Sequence, residues 1–139
     1  MSQENIESIQ RAYAAMSRLD AEAMVALCDP AVEFRSRVAS ADDVTYRGHF
    51  GVRDYIANLA EAFEWVQTEP VAVVDGGDRA VVCNRFRARG RRSGVEVEER
   101  FFQALRYREA KVLWWAFYPS KAEALEAVGL PEQDAHAAS

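Results

Sequence analysis

The chain has 139 residues, half of them hydrophobic and 28% charged, with a formal net charge of −5. This is the make-up of a single globular domain with enough apolar residues for a core, and its acidic balance opposes a nucleic-acid partner. No run of 18 apolar residues offers a membrane span, the polar start MSQENIESIQ lacks a signal-peptide pattern, and neither Cys28 nor Cys83 sits in a metal-ligand cluster.

The expectation is therefore a soluble, cytoplasmic domain over residues 1–130 with no metal or cofactor, followed by a frayed tail over 131–139. In chain order, Ile6, Ile9, Tyr13 and Met16 recur at helical steps and predict a first helix. Asp20 reads as the N-cap of a short second helix, Ala21 to Cys28, which Asp29-Pro30 ends. A short strand from Val32 to Ser36 and a polar loop from Arg37 to Asp43 follow. Gly48 and Gly51 then lead into a third helix burying Val52, Tyr55, Ile56, Leu59 and Phe63.

After Pro70 the period changes to two. Val71 to Val74, Ala80 to Arg89, Val95 to Arg108 and Lys111 to Tyr118 read as strands. They are joined by turns at Asp75–Asp78, Gly90–Ser93 and Glu109-Ala110. Ser120 and Glu123 form a capping box for a last helix, which Gly129-Leu130 closes. Three helices followed by an antiparallel meander define an α+β class with helices on one sheet face.

With Gly90–Ser93 as the loop, Ala88 faces Val95, Phe86 faces Val97, Asn84 faces Glu99 and Val82 faces Phe101. On the other face Arg87 meets Glu96 and Arg85 meets Glu98. One face is thus apolar apart from Asn84, Glu99 and Gln103, and the other is a charge-paired, solvated face carrying the arginine series 85 to 92. In the last strand, Leu113, Trp115 and Phe117 share one face, and Val112, Trp114, Ala116 and Tyr118 the other. The surplus of bulky residues predicts a homodimer through an outer patch of Val81, Phe102, Trp114 and Tyr118.

Glu99 beside Asn84 on an apolar face has two readings: a base with a raised pKa, or a structural carboxylate satisfied by Asn84, Arg35 or a helix-end amide. Gln103 is either a carbonyl donor or a partner for a loop carbonyl. Arg35 suits an anionic substrate group or a local acid, and His49 is a titratable candidate before the third helix or a solvated loop residue. Tyr13, Met16, Phe63, Trp65, Phe86, Phe101, Trp115 and Phe117 either line a pocket for a flat ring or form plain core.

The stretches from Arg11 to Asp20, Cys28 to Phe34, Tyr46 to Tyr55, Lys111 to Tyr118 and Ala122 to Leu130 resemble the SnoaL-like branch of the nuclear-transport-factor-2-like superfamily. The resemblance covers roughly residues 4 to 130. It implies a cystatin-like cone: a curved sheet wrapped around three N-terminal helices, an apolar cavity, and often a dimer through the outer sheet face. Relatives of this type include polyketide cyclases, ketosteroid isomerases, epoxide hydrolases and dehydratases, all metal-free, and proteins that only bind ligands.

By that resemblance the isomerase base falls on Arg35, its helix-one tyrosine one residue from Tyr13, and its second oxyanion acid near Gln103. The hydrolase arginine and aspartate fall near Arg85 and Arg87, and its last-strand aspartate on Phe117. Neither catalytic set is kept. Two functions stay open: a cofactor-independent cyclase or isomerase using Glu99, Asn84 and Gln103 for proton transfer alpha to a carbonyl, or a non-catalytic protein that binds a small apolar or aromatic ligand or acts as a dimeric interaction module.

Overall fold

The computed structural model describes residues 3–36, 44–132 and 136–137. The elements run α1 (Gln3–Ser17), α2 (Ala21–Ala26), β1 (Cys28–Ser36), β2 (Val44–Arg47), α3 (Gly48–Ala62), β3 (Phe63–Asp75), β4 (Arg79–Gly90), β5 (Glu96–Arg108), β6 (Lys111–Tyr118), α4 (Lys121–Ala127) and β7 (His136–Ala137). One curved sheet has the order β2-β1-β6-β5-β4-β3-β7. All pairs are antiparallel except β1 with β6. The expected α+β architecture, with three N-terminal helices against the sheet and a short C-terminal helix, is present.

Helix α1 presents Ile9, Ala12, Tyr13 and Met16 to the sheet, each at most 3% exposed. Full burial of a large apolar side chain contributes roughly 1.5–3 kcal/mol. The helix ends in a Schellman motif, with Leu19 N–H on the Met16 carbonyl at 3.0 Å and Asp20 N–H on the Ala15 carbonyl at 2.9 Å. Leu19 occupies the left-handed position there, at φ +55°, where glycine is usual. Its half-buried side chain packs against two apolar clusters, the main core and the Val66, Phe86, Ala88 and Phe101 group. Asp20 caps α2 as expected, accepting from Ala23 N at 3.1 Å.

Helix α2 stops at Ala26, two residues before the expected Cys28. Cys28, Asp29 and Pro30 already belong to β1, with Cys28 paired to Val112. Asp29 Oδ1 accepts from Ala31 N–H at 2.8 Å, an Asx turn within the irregular stretch of β1 between Cys28 and Glu33. The expected loop from Arg37 to Asp43 lies outside the described residues, as does most of the expected frayed tail. Strand β2 pairs with β1 as a four-residue edge, and α3 packs closely on it. A Cβ at Gly51 would sit 2.8 Å from the Tyr46 carbonyl carbon.

Strand β3 starts directly after α3, so Phe63 and Trp65 are strand residues. Phe63 has extended backbone, at φ −127° and ψ 142°, rather than the last helical turn. The central hairpin is displaced by two residues from the expected register: Ala88 faces Val97, Phe86 faces Glu99, Asn84 faces Phe101 and Val82 faces Gln103. The connection is longer than the four-residue loop, with Gly90 N–H on the Val95 carbonyl at 2.9 Å and Gly94 at φ +67°. An even displacement leaves every side chain on its expected face. Arg87 thus faces Glu98, and Arg85 faces Arg100 while reaching diagonally to Glu98 at 2.9 Å.

An irregularity between Arg106 and Tyr107 pairs Val112 with Tyr107, so Val112 joins the helix-facing core instead of the outer face. On the outer face, Ala124, Leu125 and Val128 at the C-terminal helix pack against Val74, Val81 and Ala104, with Phe102, Trp114 and Tyr118 alongside. Val81 is only 2% exposed, so the patch expected to be open on this face is partly covered by the protein's own last helix.

Candidate functional site

The interior between the helices and the sheet holds two buried amides, Asn84 on β4 and Gln103 on β5, exposed by 2% and 6%. Adjacent strands place them on the same face, where a polar side chain must find a partner or destabilise the core by about 1–3 kcal/mol. Each amide oxygen has one. Tyr13 on α1 donates its hydroxyl proton to Gln103 Oε1, and Thr68 on β3 donates from Oγ1 to Asn84 Oδ1 at 2.7 Å. With both oxygens accepting, the two amide nitrogens remain as donors.

These amides line a small cavity with Met16 from α1, Tyr55 and Leu59 from α3, Val66 and Thr68 from β3, and Phe86 and Phe101 from the central hairpin. Its free volume is about 10 Å³, the room taken by one water-sized sphere. A wider groove of about 510 Å³ runs between α1 and the β3 edge, and Thr68 lines both. Ser17 joins the two walls: its Oγ accepts from Thr68 N–H at 3.0 Å and donates to the Thr68 carbonyl at 3.2 Å.

Burial pushes the Tyr13 hydroxyl well above the usual tyrosine range, with neighbouring Tyr107 and Tyr55 adding to the effect. Burial likewise pushes Tyr55 up to about 12. Both are protonated at neutral pH. Among the described residues, no carboxylate, imidazole or basic side chain lines the cavity. The interior is a neutral hydrogen-bonding site in an aromatic and aliphatic wall, suited to holding an uncharged carbonyl or hydroxyl group.

Several expected site residues meet here: Asn84, Gln103, Met16, Phe86 and Phe101 line the cavity, and Tyr13 bonds to it. Trp115 stacks at 5.2 Å from Tyr13, with its indole nitrogen buried and without a partner. Phe63 and Phe117 extend the wall into a row with Phe86 and Phe101. Glu99 does not join Asn84. The displaced register sets it opposite Phe86, toward the open hairpin end, where it is exposed.

Arg35 lies on the outer face, because Phe34 takes the inner position. It donates to the Tyr118 hydroxyl at 2.8 Å and sits over that ring. Trp65 pairs with Arg89 and alternates away from buried Val66. His49 Nε2 is 2.9 Å from the Cys28 carbonyl and is absent from the cavity wall. Cys28 is buried, which pushes its thiol up to about 12 and keeps it unreactive.

Tyr55, Leu59, Val66 and Thr68 were not among the expected pocket residues. The helical period had already placed Tyr55 and Leu59 on the buried side of α3. Val66 and Thr68 carry no such signal, since the two-residue period becomes clear only after Pro70. Among the described residues no acidic, histidine or cysteine cluster fits a metal ion, and no helix is long and apolar enough to cross a membrane.

A helix-packed, curved sheet with a small apolar interior and a few buried polar groups defines a class of cystatin-like cone proteins. The chain belongs to the SnoaL-like domain family, whose model matches residues 9–115. Among solved structures it is similar to an NTF2-like protein from Burkholderia pseudomallei K96243, at 20% identity and TM-score 0.74 over 91% of this chain and 97% of that one. It is also similar to TerC co-crystallised with polyporic acid, at 21% identity and TM-score 0.72 over 91% and 99%. A third is the putative SnoaL-like polyketide cyclase from Jannaschia sp. CCS1, at 17% identity and TM-score 0.71 over 95% and 98%. No curated protein sequence matches the chain significantly.

Proposed function

We propose that the protein binds a small, flat, oxygen-bearing cyclic or aromatic metabolite in the interior between α1, α3 and the sheet. The observation that carries this reading is the pair of buried amides, each with its oxygen held by a hydroxyl and its nitrogen left to donate into an aromatic-lined cavity. A carbonyl or phenol oxygen would accept from Asn84 and Gln103 while its ring packs against Phe86 and Phe101. Similarity to a protein co-crystallised with polyporic acid supports a cyclic, oxygenated ligand.

The ring enters by displacing side chains, since the free volume at rest is that of one water. Met16 is the most adaptable part of the wall, and the groove beside Thr68 gives a route from solvent. Binding is favoured over proton abstraction because burial holds the cavity tyrosines Tyr13 and Tyr55 protonated, so neither serves as a base near neutral pH. A thermal-shift screen with phenols, flat cyclic ketones and polyketide-like aromatics tests the reading. A ligand at a hundredfold excess over its dissociation constant adds about 2.7 kcal/mol to the stability. A rise in Tm that Asn84→Leu abolishes is expected, and no rise with any of these compounds would contradict it.

A further inference from the structure

Asn84 Nδ2 and Gln103 Nε2 donate to no protein atom among the described residues, since Thr68 and Tyr13 hold only the two side-chain oxygens. The described polar side-chain atoms that protein seals off without a partner are Arg79 Nε, Arg89 Nε, the Tyr107 hydroxyl and Trp115 Nε1. The two amide nitrogens are not in that group, so each borders free space. Both side chains line the same cavity.

Gln103 faces Val82 and Asn84 faces Phe101, which makes the amides diagonal neighbours on one sheet face. Their Cβ atoms are then within about 7–8 Å. A shared water bridges donors up to about 6 Å apart, a span that side chains of this length meet. The cavity's free volume of about 10 Å³ matches one water. A cavity walled only by apolar groups stays dry, whereas two free N–H donors give a water its partners. Thr68 supplies a third: it lines the cavity, and its hydroxyl oxygen keeps lone pairs while its proton goes to Asn84 Oδ1.

We propose that one ordered water occupies this cavity, accepting from Asn84 and Gln103 and donating to the Thr68 hydroxyl oxygen. It completes a circuit of hydrogen bonds from Tyr13 through Gln103, the water and Asn84 to Thr68. Ser17, one helical turn after Tyr13, returns the circuit to α1 through the Thr68 backbone. The circuit ties α1, β5, β4 and β3 together through polar groups inside an apolar core, and the water is its link between β5 and β4. The proposal goes beyond ligand binding and does not rest on it: a ligand oxygen would displace this water, but the water needs no ligand.

Cross-relaxation with water, measured by NMR on the unmodified protein, is the first test. The side-chain amide protons of Asn84 and Gln103 should show water cross-peaks of opposite sign in the laboratory and rotating frames, the signature of a water that tumbles with the protein. Oxygen-17 relaxation dispersion is the second, since proton exchange at the Tyr13 and Thr68 hydroxyls does not mimic it. The contribution of one long-lived water should be lost in Asn84→Leu. Gln103→Met should show the same loss and serves where Asn84→Leu does not fold. Absence of water cross-peaks at both amides, or a dispersion that either folded variant leaves unchanged, overturns the proposal.

Discussion

The Tyr13 hydroxyl donates to the Gln103 side-chain oxygen across 90 positions of sequence, tying the first helix to the middle of the sheet inside the core. The bond makes Gln103 a fixed donor rather than a rotating amide. Tyr13→Phe removes the donor and leaves a buried oxygen unsatisfied, so it should destabilise the fold by about 1–3 kcal/mol. Gln103→Leu should cost a similar amount by orphaning the hydroxyl. The double variant should be less destabilised than the sum, as read from denaturant unfolding in a double-mutant cycle.

Ser17 makes both hydrogen bonds of one backbone position on β3, Thr68, and so holds α1 against that edge. Ser17→Ala should cost about 1–2 kcal/mol and speed hydrogen exchange at the Thr68 amide. Unchanged exchange there would show that the contact does not hold the edge.

Leu19 combines a left-handed backbone with a side chain packed into the core. Leu19→Ala loses the packing and keeps the backbone strain, whereas Leu19→Gly loses the packing and relieves the strain. The glycine variant should therefore be more stable than the alanine variant by about 1 kcal/mol. The reverse order in urea unfolding would contradict the strain at this turn.

Burial raises the Tyr55 pKa from 10.0 to about 12, only partly offset by its hydrogen bond with Ser36. The folded state thus holds this proton more tightly than the unfolded one. The resulting stability is fully present below pH 10 and is lost as pH rises through 12, an effect of roughly 2.7 kcal/mol for two units. Buried Cys28, raised from 9.0 to about 12, adds a loss of the same sign that begins near pH 9. Tm should therefore stay level from neutral pH to about pH 8 and fall increasingly above about pH 9. Tyr55→Phe should remove only the part of the fall that begins near pH 10.

Much of the fold was legible in the sequence because its signals are local. Asp20 and Ser120 mark helix starts, the Asp75–Asp78 turn closes as read, and alternation along β4 and β5 sorts the faces correctly. The pairing across that hairpin was not legible, since the length of the 91–95 connection depends on Gly94 reaching φ +67°. The two-residue displacement left the face of Asn84 and Gln103 intact but moved Glu99 away from Asn84. Thr68 was hidden because β3 begins immediately after a helix with no turn signal, whereas the outward position of Arg35 was legible in the alternation of Val32 and Phe34 with Glu33 and Arg35.

The most direct test of interior binding is to follow the side-chain amide signals of Asn84 and Gln103 by NMR during titration with the best phenol from the screen. Both pairs of amide protons should shift in step with saturation as their nitrogens engage the ligand oxygen. Saturating shifts confined to the α1/β3 groove or the outer sheet face, with both amides unmoved, would contradict the account.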